Sequence, residues 1–114
     1  MKWVTCAAIV GLMSVGHSAN ADDKLTVYSY RQAFLVEPIL TRFTEETGIG
    51  VNLVFAKDGI AERLVREGRL SPADLVLTSD FSRLVELVDK DLTSPVKNPL
   101  LESNIPAQYR DPDG

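Results

Sequence analysis

From residue 24 onward the hydrophobic period switches three times from strand-like to helix-like, and that alternation limits the fold more than any other property of the chain. "KLTVYS" is a β-branched and aromatic run, after which Leu35, Val36, Ile39, Leu40 and Phe43 recur at helical spacing until Thr47-Gly48. Pro38 is tolerated only near a first turn, so this helix is expected to start close to Glu37. "VNLVF" at 51–55 reads as a second strand, and "GIAERLVREG" at 59–68 as a short helix with Ile60 and Leu64 inward and Val65 a third candidate. "ADLVLTS" at 73–79 is a third strand, apolar at consecutive positions as a strand covered on both faces would be. "DFSRLVELVDKD" follows as a third helix, with Phe81, Leu84, Val85 and Val88 as its apolar stripe.

Strand and helix in alternation imply an α/β fold: a parallel sheet with flanking helices, joined by right-handed crossovers. Ligands of such sheets sit beyond the carboxyl ends of the strands. Two polar junctions fall there, Tyr30-Arg31-Gln32 after the first strand and Thr78-Ser79-Asp80 after the third.

Both ends of the chain differ from this middle. Lys2, the apolar run "VTCAAIVGLMSVG" and Ala19-Asn20-Ala21 have the form of a secretory signal peptide over residues 1–21, too short in its apolar part to span a bilayer. Cleavage would remove Cys6 and His17, the only cysteine and the only histidine. The processed chain would then hold no disulfide, no Cys or His zinc site and no Cys-His or Ser-His nucleophile pair, and any metal would have to accept oxygen ligands. After Asp91 come four of the six prolines, a short helix expected at Pro99 to Ser103, an extended piece, and the turn-forming string "RDPDG". A chain stopping there is expected to be truncated. Sixteen acidic against twelve basic residues, a net charge of −4, and no concentrated basic face argue against a nucleic-acid partner.

In sequence order, "VYSYRQ", "EETGI", "REGRLSPADLVLT" and "NIPAQYRD" resemble the amino-terminal part of periplasmic ferric-ion-binding proteins, the substrate-binding components of iron(III) ABC transporters. The resemblance runs from Lys24 to Gly114. It implies part of one lobe of a two-lobed, class II periplasmic binding protein, a monomer that takes up ferric iron with carbonate or a similar anion and delivers it to an inner-membrane permease. Tyrosine ligands of the metal would lie beyond Gly114, and none is expected in this chain. Arg31 matches the arginine that contacts the anion, and its planar fork of donors suits carbonate. Gln32 stands where other branches place a histidine ligand, and Ser79 where they place a ligating glutamate, so this lobe is expected to contribute anion contacts rather than metal bonds.

Each candidate also has a plainer reading. Tyr28 reads as a packing residue of the strand. Tyr30 either lines the cleft or covers a helix end. Arg31 on its own reads as a surface cation paired with Glu37, and Asp80 as the N-cap of the third helix rather than a cleft acid, with Ser79 and Ser82 competing for the cap. Two other functions remain open on the sequence: a binding protein of the same fold for an organic anion or polyamine, and the effector-sensing domain of a transcription regulator. The latter needs a helix-turn-helix where the signal peptide stands. An enzyme is disfavoured, because no nucleophile, base and orienting group can be assembled from the processed residues.

Overall fold

The structure, a computed structural model, describes residues 24–114; the expected signal peptide at 1–21 lies outside the described residues. Strand β1 (Lys24–Ser29), helix α1 (Ala33–Thr47), strand β2 (Gly50–Phe55), helix α2 (Ile60–Glu67), strand β3 (Leu75–Leu77) and helix α3 (Phe81–Asp89) follow in turn, then a short helix α4 (Pro99–Asn104). The sheet is wholly parallel in the order β2-β1-β3, with Lys24 opposite Gly50 and Val27 opposite Leu75 at the starts of the two ladders. This is the expected α/β class.

β1 is central, and its alternation sorts the core. Tyr28 and Tyr30 share one face with Ile60, Ala61 and Leu64 of α2 and Leu87 of α3. Val27 and Ser29 are buried outside that cluster. So is Val36, the buried residue of α1, a helix that rests on β2.

Several boundaries and faces differ from the sequence reading. α1 begins at Ala33, not near Glu37, and Pro38 falls inside it. The proline removes only the bond to the carbonyl of Phe34, a residue 69 % exposed, so the loss falls at the solvated start of the helix. At the other end Gly48 stops the helix as expected, with φ of 75° and its N–H on the Thr44 carbonyl. In α2, Val65 is exposed and Ala61 is buried in its place, held in at the helix start by its backbone N–H, which donates to the Tyr30 hydroxyl.

β3 spans three residues rather than seven and is an edge strand paired with β1 alone; it is not covered on both faces, since Leu75 is exposed and Val76 and Leu77 are half-buried. In α3 the apolar stripe is turned outward. Phe81, Leu84, Val85 and Val88 are all exposed, while Leu87 is 1 % exposed. Arg83 explains the choice, since it lies one turn before Leu87 on the same helix face and its guanidinium stacks 4.2 Å from the Tyr30 ring.

Past α3 the chain is irregular, as its prolines require. Asn98 caps α4 through its Oδ1, which accepts from the Leu100 N–H at 2.9 Å, with Pro99 in the first turn. A 3₁₀ turn at Ala107–Tyr109 replaces part of the expected extended piece. Among the described residues no helix is long and apolar enough to cross a membrane.

Candidate binding edge

In the order β2-β1-β3 the chain leaves the central strand toward β2 and returns on its other side as β3. The carboxyl ends of β1 and β3 therefore flank a topological switch point, where open α/β sheets hold ligands. Backbone bonds fix this edge. The Tyr30 N–H donates to the Leu77 carbonyl at 3.0 Å, and the Ala56 N–H to the Ser29 carbonyl at 3.0 Å. Fully buried Ser29 closes the turn beyond β1, its Oγ accepting from the Arg31 N–H at 3.0 Å and donating to the Arg31 carbonyl at 2.9 Å. The two polar junctions singled out from the sequence are thus side by side.

Within this edge the candidates occupy different situations. Tyr30 is 7 % exposed, with its ring in the core and its hydroxyl accepting from the Ala61 N–H at 3.2 Å, so it covers the start of α2. Arg31 is exposed, and among the described residues its guanidinium has neither a hydrogen bond nor an ion pair; no bridge to Glu37 forms. Gln32 is exposed at the N-cap of α1, and its amide makes no cap bond.

Across the edge, Ser79 donates to Asp80 at 3.2 Å. Asp80 is the N-cap of α3, accepting from Ser82 Oγ at 2.6 Å and from the Arg83 N–H at 3.0 Å. The Ser82 hydroxyl and the Arg83 amide hold its carboxyl down at about 2, so it is ionised at any ordinary pH.

Two residues of the edge have no sequence signal. Arg83 hydrogen-bonds Asp58, in the loop after β2, at 3.0 Å and forms an ion pair with Asp80 at 3.3 Å, while stacking on Tyr30. Asp58 sits in an unremarkable "KDG" turn, and only the fold brings Arg83 to it.

A second network lies under the sheet. Tyr28, 1 % exposed, donates to Glu67 at 3.0 and 3.1 Å, and Arg63 stacks over its ring at 4.4 Å. Glu67 also accepts from Arg63 at 2.6 Å and Ser71 at 2.7 Å. Burial, then the Glu67 carboxylate, pushes the Tyr28 phenol above its usual range; the bonds from Arg63 and Ser71 pull Glu67 below the usual carboxylate range. Tyr28 is a packing residue.

No group of three or more His, Cys, Asp or Glu is placed to hold a metal among the described residues. A cavity of about 630 Å³ opens between the α3 stripe and residues 93–114, and one of about 220 Å³ lies between α4 and the last residues. Neither is lined by Arg31, Gln32, Ser79 or Asp80. What the edge offers chemically is a guanidinium without a partner among the described residues, at a switch point, a planar donor fork for an oxyanion.

A parallel three-stranded sheet with flanking helices and that edge fits part of an α/β lobe. No protein-family model matches the chain. It is 38 % identical over 112 residues to iron uptake protein A1 of a Synechocystis strain, covering 90 % of this chain and 31 % of that protein. The Fe(3+)-binding periplasmic protein of Serratia marcescens is 33 % identical over 98 residues, covering 85 % and 29 %, and a thiamine-binding periplasmic protein of Brucella abortus is 31 % identical over 111 residues, covering 91 % and 32 %.

Among solved structures, ferric iron-binding protein A of Mannheimia haemolytica in an open conformation superposes with a TM-score of 0.77 at 49 % identity, over 80 % of this chain and 29 % of that one. A Trichodesmium protein in complex with iron and citrate gives 0.73 at 33 % identity, over 79 % and 29 %. The chain is therefore a partial relative of the periplasmic ferric-ion-binding proteins. It spans about three tenths of the length of the curated relatives it matches.

Proposed function

We propose that this chain forms part of the periplasmic substrate-binding component of an iron(III) ABC transporter, which holds ferric ion with a carbonate-like anion between two lobes and delivers it to an inner-membrane permease. Residues 1–21 would direct export, and 22–114 would begin the amino-terminal lobe. The observation that carries this reading is Arg31: an exposed guanidinium without a partner among the described residues, at the switch point of a sheet that matches ferric-binding proteins. Ferric ion is a hard acid that takes phenolate and carboxylate oxygens, and an anion beside it offsets charge. Arg31 would grip that anion, and Gln32 would donate to it or to a ligand water. Asp80, committed to its cap, and Ser79 would form the rim rather than bind metal. No covalent bond is made or broken, so the work is capture and release.

In the full-length protein, Arg31→Ala removes a charge-assisted contact and should weaken ferric affinity in the presence of carbonate by about 1.5–3 kcal/mol, roughly ten- to a hundredfold. Competition with citrate at several carbonate concentrations reads the effect; the same affinity as wild type throughout rejects the role. The thiamine-binding relative favours a second reading, a binding protein of the same fold for another small ligand, such as an organic anion or a polyamine. Adding ferric citrate to the full-length protein separates the two, since only an iron protein develops tyrosine-to-iron charge-transfer absorbance.

A further inference from the structure

We infer that Arg83 is a positioning residue of the cleft wall: it fastens the loop after β2 and the cap of α3 onto the Tyr30 ring, so that the carboxyl edge presents Arg31 in one geometry. This rests on the reading of the edge as half of an iron and anion site.

Three independent contacts meet at one side chain. Arg83 hydrogen-bonds Asp58 at 3.0 Å, forms an ion pair with Asp80 at 3.3 Å, and lies 4.2 Å from the Tyr30 ring centroid. Each contact comes from a different segment, the loops following β2 and β3 and the turn following β1. A guanidinium can do this because it is planar and presents five donors; the point charge of a lysine cannot stack and reach two carboxylates together. With two carboxylates beside it, Arg83 is also charge-satisfied, so it is not itself the anion receptor. Its side chain is only 29 % exposed, whereas Asp58 is 72 % exposed.

The Tyr30 hydroxyl carries the effect further. It accepts from the Ala61 amide at the start of α2. Through the ring, Arg83 thus ties α3 to α2 as well as to the turn that bears Arg31.

Two variants of the full-length protein test this. Arg83→Lys keeps the charge and loses the geometry. Asp58→Ala removes one arm at an exposed position and leaves the melting temperature near wild type, which keeps the test clear of misfolding. In both, amide hydrogen exchange over residues 56–61 should quicken by about tenfold or more, while β1 amides keep their protection. The ferric dissociation constant should rise, by about ten- to a hundredfold for Arg83→Lys, as when groups that orient a site's direct ligands are removed, and its dependence on carbonate should persist, unlike that of Arg31→Ala. Unchanged exchange at 56–61 overturns the inference whatever the ligand. Faster exchange with unaltered ferric affinity overturns the role in the cleft. A wild-type protein that takes up no ferric iron rejects the functional reading instead, and exchange at 56–61 then decides whether Arg83 orders the edge.

Discussion

Tyr28→Phe isolates the contribution of one buried hydroxyl in the centre of this fold. The wild-type phenol is 1 % exposed and donates to both oxygens of Glu67, at 3.0 and 3.1 Å. A hydrogen bond to a charged partner is worth about 1.5–3 kcal/mol net. Glu67 would keep Arg63 at 2.6 Å and Ser71 at 2.7 Å, so no carboxylate is orphaned, and the ring and its stacked guanidinium remain. The loss should thus sit at the low end, about 1.5 kcal/mol, or roughly 6–12 °C in melting temperature for a domain of this size.

Urea titration at neutral pH measures the loss, and repetition at alkaline pH tests its cause. Because burial raises the phenol's pKa above 10.0, its contribution is complete below that value and is lost as pH rises through it toward the folded value. The gap between wild type and variant should therefore close in that window. A gap under about 0.5 kcal/mol at neutral pH would mean that the hydroxyl contributes no more than an ordinary surface position, and a gap that stays open above pH 10 would refute the burial argument.

Asp80→Asn keeps an acceptor for the α3 cap but removes the charge. Wild-type stability from this group is present above 3.8 and lost as pH falls toward about 2, so the variant should show a flatter fall in melting temperature across that window; equal slopes would reject the cap as the cause. Leu87→Ala should cost about 2–5 kcal/mol, while Phe81→Ser stays within about 0.5 kcal/mol of wild type in the 114-residue chain, as read by urea titration. The opposite ranking would mean that the α3 stripe faces the core.

What was legible in the sequence was what local physics decides. Changes of hydrophobic period located every strand and helix of the sheet, and Asp80 announced the cap of α3 because a cap and its helix are neighbours in the chain. The two polar junctions could be placed at one edge because a parallel sheet sends the segments after its strands to the same end. Faces and limits were less legible. Consecutive apolar residues at 73–79 are compatible with a strand covered on both faces, yet Leu75 is exposed and Val76 and Leu77 are only half-buried. In α3 the most apolar stripe looked like the buried one, but an arginine is on the buried side.

That inversion also bears on the site. Arg31 and Arg83 look alike in the sequence, each following a strand by a few residues. Their difference is non-local: Arg83 has Asp58, Asp80 and an aromatic face, while Arg31 has no partner among the described residues. A guanidinium satisfied by two carboxylates would gain little from a third anion and can serve as structure, whereas one facing water at a switch point is available to a ligand. The assignment of roles to the two arginines therefore depends on where Asp58 arrives in space, which no pattern local to either arginine encodes.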